Sequence, residues 1–174
     1  MLLDDHETCL AREAASRGVT TVPVADRLTA LGLTLPAVPT PAANYVPARS
    51  YGNILFASGQ TPTVEGVLTM RGKLGAEISV EQGQEGARLS ILNCLAAVAA
   101  HLDGDLDQVE AVLKLTGYVA SAPGFVDQPS VINGASVLLE EVLGEAGRHA
   151  RAAIGLAELP GGAPVEVDLV LAVR

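Results

Sequence analysis

The sequence predicts an α+β fold in which a mixed β-sheet carries two helices on one face. The first observation is the order of the periodic segments, which runs strands, helix, strand, helix, strands. The second is the length of 174 residues, which suits one domain with a substantial core. The third is the composition: 49% of the residues are hydrophobic and 18% are charged, which favours a homo-oligomer with apolar surface to bury.

The N-terminal region is predicted to be an extension of the compact domain. Residues 1 to about 18 are expected to form a short amphipathic or frayed helix. The segment PVADRLTALGLTLP predicts a second helix, with Val24, Leu28 and Leu31 at helical spacing and Gly32 as the C-terminal cap. The prolines of PAVPTPAANYVP then indicate an extended connector. We therefore divide the chain into an extension, 1–41, and a compact domain, 42–174.

The compact domain is predicted to begin with strands and a long helix. NILFASGQ is a short apolar run that ends at Ser58-Gly59, and GVLTM is expected to be its neighbour across a turn. Ser79 and Gln82 have the spacing of a capping box. Apolar residues recur every three or four positions after it, which predicts a helix over about 79–102; they are Leu92, Leu95, Val98 and Leu102.

A second strand and helix follow. Apolar and polar residues alternate in VEAVLKLTGYVAS, and β-branched residues are frequent there. This pattern predicts a strand over about 109–121 with Lys114 and Tyr118 on one face. Asp127 can cap a helix that has Pro129 in its first turn and ends at Gly144. Its buried stripe is predicted to be Val131, Ala135, Leu138 and Val142.

The closing stretch, RHARAAIGLAELPGGAPVEVDL, is predicted to be a β-hairpin. One strand would run near 151–158, the turn would lie at Pro160-Gly161-Gly162, and the other strand would cover 164–173. Such a turn brings the two ends of the stretch together, so Arg151 and Glu166 are predicted to be neighbours. Alternation places Glu166 and Asp168 on one face of the last strand and the larger aliphatic residues on the other.

The net charge of the chain indicates which kinds of binding partner to expect. Eleven Lys and Arg against twenty Asp and Glu give a net charge of −9. Nucleic-acid binding depends largely on neutralised phosphates, and the chain has no basic run, so nucleic acid is not expected as the main partner. A small carboxylate-bearing molecule remains compatible with this charge, because one desolvated arginine sets a local field that the net charge does not.

The cysteines and the N-terminal segment predict a cytoplasmic protein. Cys9 and Cys94 lie outside any CxxC pattern and are expected to be reduced thiols. The segment MLLDDHETC is acidic, unlike a secretory signal. The long uncharged stretch around residues 34–48 contains several prolines, so no membrane span is expected there.

Three motifs that could hold a metal or a cofactor do not match the required residue spacing. DGDLDQVE has aspartates at alternate positions, but an EF-hand needs Gly and Glu where Gln108 and Lys114 stand, so a solvated turn is expected. The histidines His6, His101 and His149 lack zinc spacing. The chain contains no GxGxxG and no Walker loop. We therefore expect no metal and no cofactor.

Three further polar residues are candidates. His149 lies two positions before Arg151, on the same side of an extended segment, and could be a proton shuttle or a hydrogen-bonded structural histidine. Asn93 and Asn133 fall inside predicted helices, where asparagine is disfavoured. Asn133 is either a helix-surface residue or a polar contact of the segment that holds Arg151.

These features together resemble the YjgF/RidA family, the reactive-intermediate deaminases once labelled liver perchloric-acid-soluble (L-PSP) endoribonucleases. The resemblance covers about residues 42–174 and includes Tyr45, the Ser-Gly-Gln that starts at Ser58, and Asn133. Its closing signature is Arg151-Ala-Ala-Ile, Leu159-Pro160-Gly-Gly-Ala and Val165-Glu166-Val167-Asp168. GKLGAEISVEQGQEGAR, NCLAA, VINGAS and GEAGRHAR are similar to the chorismate-mutase-like branch of the family.

The resemblance implies a barrel-like homotrimer with sites in the clefts between subunits. The implied reaction is hydrolysis of an enamine or imine to a 2-oxo acid and ammonia. Arg151 would hold the substrate carboxylate and Glu166 would position and deprotonate a water. Tyr45 and the Ser58-Gly59 backbone would line the pocket, and Asn133 would be a supporting contact. Ala153 occupies the position where many family members have a cysteine.

The chemistry of Arg151 and Glu166 is compatible with the implied hydrolysis. A guanidinium meets a carboxylate with two charge-assisted hydrogen bonds. Glu166 on an apolar strand is predicted to have a raised pKa, which suits a general acid/base. Two alternatives stay open: a trimeric module that binds carboxylates without turnover, and an endoribonuclease, which the acidic charge disfavours. A chorismate mutase would share only the implied fold, since it would need several arginines and only Arg148 and Arg151 are close in sequence.

Overall fold

The computed structural model describes residues 22–38 and 43–174. The predicted helix within residues 1–18 and the thiol of Cys9 lie outside the described residues. The helices are α1 (Val24–Ala30), α2 (Val80–His101) and α3 (Gln128–Leu143). The strands are β1 (Ala48–Tyr51), β2 (Ile54–Gln60), β3 (Thr63–Val64), β4 (Val67–Leu68), β5 (Val109–Ala120), β6 (Ala150–Leu156) and β7 (Val165–Val173).

The two long helices begin and end at the residues that the sequence indicates. Ser79 forms the predicted capping box: the Gln82 N–H donates to Ser79 Oγ at 3.2 Å, and the Ser79 N–H donates to Gln82 Oε1 at 2.9 Å. The predicted cap of α3 by the Asp127 side chain is absent, since its carboxylate accepts from the Ser130 hydroxyl and not from the helix backbone. Helix α3 nevertheless follows Asp127, has a proline in its first turn, and ends at Gly144 with φ +64°. Glycine adopts this left-handed conformation without strain, so the helix stops there.

Five strands form one mixed sheet in the order β1-β2-β7-β5-β6. Every neighbouring pair is antiparallel except β5 and β6, which are parallel because α3 connects them as a crossover. Strand β7 is therefore central, with β2 on one side and β5 on the other. Strand β6 is an edge strand.

Both long helices pack on the same face of the sheet, as predicted. Along β7 the buried residues alternate with partly exposed ones. On the buried face, Gly86 of α2 lies against Val165, and Gly117 of β5 lies against Ile132 of α3. The core residues of β7 are Val165, Val167, Leu169, Leu171 and Val173. The predicted α+β class with two helices on one face is confirmed.

The other face of the sheet, which we call the open face, carries a mixture of apolar and acidic side chains. Phe56 of β2 pairs with Val170 of β7 and is 51% exposed. Ile154 of β6 is 40% exposed and pairs with Tyr118 of β5. This amount of exposed aromatic and aliphatic surface on one sheet face is typical of an interaction surface.

Helix α1 is attached to the domain core. Val24 and Leu28 are buried among core residues, whereas Leu31 is exposed. The Val24 N–H donates to Asp107 Oδ1 at 3.1 Å, and Arg27 donates to the Val142 carbonyl at 3.4 Å. No helix in residues 22–38 or 43–174 combines the length and the apolar character that a bilayer span requires.

The predicted neighbour of β2 was wrong. Val67 and Leu68 of the GVLTM segment pair with Thr63 and Val64 in a separate two-stranded ribbon. The residues before β2 pair with it instead, because Gly52, with φ +59°, starts a two-residue turn that folds β1 back on β2.

The predicted C-terminal hairpin was also wrong. Strands β6 and β7 are not paired, since β5 lies between them. The α3 crossover places β6 parallel to one side of β5, and β7 occupies the other side. The connection then passes the end of β5, where Ala120 N–H donates to the Pro164 carbonyl and Ser121 N–H to the Leu156 carbonyl, both at 2.9 Å.

Candidate functional site

The candidate residues fall into two groups that the fold keeps apart. One group, which we call the acid pocket, includes Tyr45, Gly59, Asn93 and Glu166 around a cavity. The other, which we call the arginine cluster, joins Arg151 to side chains of α3 and of the segment before β6.

The acid pocket is a cavity of about 570 Å³ at the point where β2 ends and β7 begins. Residues 36–38 of the proline-rich connector and the turn at Pro160-Gly161 form parts of its wall. Ser58 lies beside the cavity, and its hydroxyl donates to the Val46 carbonyl at 2.7 Å. This hydrogen bond ties β2 to the segment that carries Tyr45, which lines the cavity and is about half exposed.

Glu166 lies in a space that Gly59 leaves open. The pairing of β2 with β7 is irregular between Ala57 and Gln60, so Gly59 sits in a bulge. A methyl group at Gly59 would overlap the Glu166 carboxylate. The absence of a side chain at Gly59 is thus what lets the carboxylate lie against the β2 backbone.

The surroundings of Glu166 favour its neutral form. Burial raises the pKa of Glu166, and the nearby charge of Asp168, on the same face of β7, raises it further. This is the direction that the sequence predicts. The Tyr118 hydroxyl donates to Asp168 Oδ2 at 2.8 Å, and burial and this hydrogen bond raise the pKa of Tyr118. A carboxylate with a raised pKa can take up and release a proton closer to neutral pH than an ordinary glutamate.

Asn93 forms part of the pocket wall. It is buried in α2, and its Nδ2 donates to the carbonyls of Thr61 and Thr63, both at 3.0 Å. The side chain therefore holds the segment after β2 against the helix. This contact explains an asparagine in a helix interior, where its propensity is poor.

The arginine cluster is built on α3. Arg151 Nη1 donates to Asn133 Oδ1 at 2.8 Å and to Ser136 Oγ at 3.1 Å. Asn133 and Ser136 are three positions apart and therefore lie on one face of the helix. The predicted contact between Asn133 and the Arg151 segment is present. Ser136 is not among the residues predicted from the sequence, although its i+3 spacing from Asn133 is a usable signal.

His149 joins the arginine cluster through Ser136. Its Nε2 lies 3.0 Å from Ser136 Oγ, and its Nδ1 lies 2.6 Å from the Gly147 carbonyl oxygen. Ala153 follows Arg151 by two positions on the same face of β6, pairs with Gly117, and packs against the core. It does not line the acid pocket.

Arg151 and Glu166 of one chain are not neighbours, contrary to the hairpin prediction. Arg151 pairs with Leu115 on the buried face of β5, whereas Glu166 pairs with Tyr118 on the open face. Strand β5 lies between their strands, which are therefore about 10 Å apart, and the two residues are also offset by three positions along β5, with side chains on opposite faces. One chain thus carries these two candidate residues at separate places. Within the described residues, no cluster of His, Cys, Asp and Glu has a metal-binding arrangement.

The fold and the pocket define an α+β protein with a cavity large enough for a small molecule. Comparisons with known proteins identify its family. Over residues 25–165 the chain matches the family described as YjgF/chorismate mutase-like, putative endoribonuclease. The chain therefore belongs to the YjgF/chorismate mutase-like family.

The chain is also similar to individual proteins. The chain is 47% identical to Protein TCP17 of Trypanosoma cruzi over 149 residues. The aligned residues cover 85% of this chain and 92% of that protein. A crystal structure of an Agrobacterium tumefaciens protein of unknown function is 48% identical, with a TM-score of 0.81 and coverage of 87% and 92%. A crystal structure of a putative endoribonuclease from Shewanella oneidensis is 34% identical, with a TM-score of 0.84. The match covers 87% of this chain and 100% of that chain.

Proposed function

We propose that this protein hydrolyses small, carboxylate-bearing enamines or imines to 2-oxo acids and ammonia. The observation that carries the proposal is the half-buried carboxylate of Glu166, which lies against Gly59 in a cavity of about 570 Å³ and whose pKa is raised. A titratable group with a perturbed pKa in a pocket of this size is a candidate general acid/base for a small substrate.

The proposed reaction uses Glu166 twice. Glu166 as the carboxylate takes a proton from water while the water oxygen bonds to the carbon of the C=N group. Glu166 then returns this proton to the nitrogen, which gives a carbinolamine. The proton of the carbinolamine hydroxyl passes through Glu166 to the nitrogen, the C–N bond breaks, and ammonia leaves as the new C=O bond forms. An enamine first takes a proton on its terminal carbon and loses one from its nitrogen to become the imine. No metal or covalent nucleophile is required, because an imine is already electrophilic.

Arg151 is proposed to bind the substrate carboxylate. Its guanidinium is exposed on an edge strand, held by Asn133 and Ser136. Because Arg151 and Glu166 of one chain lie on opposite sheet faces, we propose that each active site combines Arg151 of one copy with the acid pocket of the next.

The proposed assembly is a homotrimer, as the family resemblance implies. The exposed side chains of Phe56 and Ile154 on the open face support association of copies through this face. The edge strand β6 would then lie beside the pocket of a neighbouring copy, which is the arrangement that a shared site needs.

The direct test is an assay with imines generated in situ from amino acids by an amino-acid oxidase, with release of the 2-oxo acid measured above spontaneous hydrolysis. We expect Arg151→Ala and Glu166→Gln to abolish the catalysed rate. Matched controls are Arg148→Ala and Glu141→Gln, which alter exposed ion pairs outside the site. Equal rates for wild type and both site variants would refute the proposal. A wild type that binds carboxylates without turnover would instead be a binding module.

A mixing experiment tests the shared site. When Arg151→Ala and Glu166→Gln chains are unfolded and refolded together, every trimer that contains both variants has one intact combination among its sites. Activity of up to about one third of wild type should return in such trimers. If both residues acted from the same chain, no mixed trimer would contain an intact site and no activity would return.

Endoribonuclease activity is the second candidate, because the family description and the Shewanella relative carry that name. The net charge of −9 opposes it, since RNA binding depends on neutralised phosphates. RNA cleavage that co-elutes with the purified assembly and survives Arg151→Ala would favour this candidate over the deaminase.

A further inference from the structure

We propose that Ser136 and His149 are positioning residues for Arg151, and that they orient its guanidinium for one ligand carboxylate. This inference rests on the proposed carboxylate-binding role of Arg151. Three hydrogen bonds connect the Gly147 carbonyl, His149, Ser136 and Arg151 in sequence, with lengths of 2.6, 3.0 and 3.1 Å. We call this series of hydrogen bonds the relay.

The direction of the relay follows from the chemistry of its end. A carbonyl oxygen only accepts, so His149 Nδ1 must carry a hydrogen and donate it to Gly147. In a neutral imidazole, Nε2 is then the acceptor, and the Ser136 hydroxyl donates to it. The oxygen of Ser136 keeps lone pairs to accept from Arg151 Nη1. Each donor meets an acceptor along the whole relay.

The relay determines which edge of the guanidinium is presented. Nη1 has two hydrogens, and Asn133 Oδ1 and Ser136 Oγ accept both. Across residues 22–38 and 43–174, Nε and Nη2 of Arg151 have no hydrogen-bond or ion-pair partner. These two nitrogens form the donor edge that matches the two oxygens of a carboxylate. The relay therefore leaves the bidentate edge available.

The relay is attached to closely packed backbone. A side chain at Gly147 would overlap the backbone of Leu139, and one at Gly134 would overlap the backbone of Gln84 in α2. The segment before β6 is thus packed on α3, and α3 is packed on α2. Since its anchors are fixed in this way, Arg151 has less rotamer freedom to lose when a carboxylate binds, which strengthens binding.

The test uses pyruvate, a product of the proposed reaction, with the full-length protein in isothermal titration calorimetry. Ser136→Ala and His149→Ala should raise the Kd for pyruvate about tenfold, the effect expected from one lost hydrogen bond. Ser136→Thr and His149→Gln keep a hydroxyl and an acceptor, and should restore binding to within about threefold. In the imine assay the same alanine variants should raise KM and leave kcat nearly unchanged.

The chain offers a matched control pair. Ser50 Oγ and His101 Nε2 also lie 3.0 Å apart, but they are far from Arg151 in the fold. Ser50→Ala and His101→Ala should leave the Kd for pyruvate unchanged. Circular dichroism and thermal unfolding of every variant establish that the fold persists.

The outcomes separate this inference from the proposed reaction. If Arg151→Ala loses pyruvate binding while Ser136→Ala and His149→Ala bind like wild type, the relay is refuted and the reaction stands. Failure of the conservative variants to restore binding, or a fall in kcat with unchanged KM, would also refute the relay. Relay-dependent pyruvate binding without imine hydrolysis would support the relay and refute the reaction.

Discussion

Replacing Gly59 with alanine is expected to displace the Glu166 carboxylate. The new Cβ would lie 3.0 Å from the carboxyl carbon of Glu166 and 3.3 Å from its Cγ, and would overlap Oε1. Carbon atoms in contact are usually about 3.5–4.0 Å apart, so the carboxyl group must withdraw by roughly 1 Å. The backbone of Gly59 is not in the left-handed region, so alanine itself fits there.

The expected effect is large on catalysis and small on stability. A misplacement of about 1 Å can reduce a rate about 100-fold, so kcat/KM for imine hydrolysis should fall by about that factor. The free energy of unfolding should change by less than about 1 kcal/mol, because the displaced group ends a flexible side chain and alanine restricts the unfolded chain. The assays are 2-oxo acid release and urea unfolding.

A double-mutant cycle supplies the control. In a Glu166→Ala background the carboxylate is absent, so Gly59→Ala should no longer lower the free energy of unfolding. Wild-type kcat/KM in the single variant Gly59→Ala would refute the idea that the position of the carboxylate against Gly59 is required for catalysis.

Three further predictions concern charge, packing and assembly. Asp168→Asn removes a charge that raises the pKa of Glu166, so the pKa should fall towards its ordinary value and the acidic limb of kcat/KM should move to lower pH; an unmoved pH profile would contradict this. Gly134→Ala forces α3 against the Gln84 backbone and should cost about 1–3 kcal/mol in urea unfolding, whereas unchanged stability would show that the helices can separate freely. Phe56→Asp puts a charge on the open face and should dissociate the proposed trimer in analytical ultracentrifugation; association unchanged from that of the wild type would exclude this face from the interface.

Local features of the fold were predictable from the sequence because local interactions determine them. The capping box at Ser79 and the glycine at position 144 fixed the ends of the long helices. Alternation along β7 correctly placed Glu166 on the face opposite the core. Burial of that strand follows from the same pattern, and with it the direction of the Glu166 pKa shift.

The order of the strands was not predictable in this way. A Pro-Gly-Gly turn between two strands is compatible with a hairpin and with a connection that passes an intervening strand. The choice depends on β5, which is distant in sequence and pairs with both β6 and β7. The same limit applies to Ser136, whose importance appears only when the crossover brings Arg151 to α3. Alternation and turn signals contain no information on such contacts.

The unequal positions of β6 and β7 in the sheet have a consequence for local opening. Strand β7 is hydrogen-bonded on both sides, whereas β6 has one neighbouring strand among residues 22–38 and 43–174. Backbone amides of β6 should therefore exchange with deuterium through subglobal fluctuations, and those of β7 only through global unfolding. The protein would hold its acid on a strand protected from both sides and its arginine on a strand protected from one side. Association of copies at the β6 edge would slow deuterium exchange selectively in β6, the strand that carries Arg151.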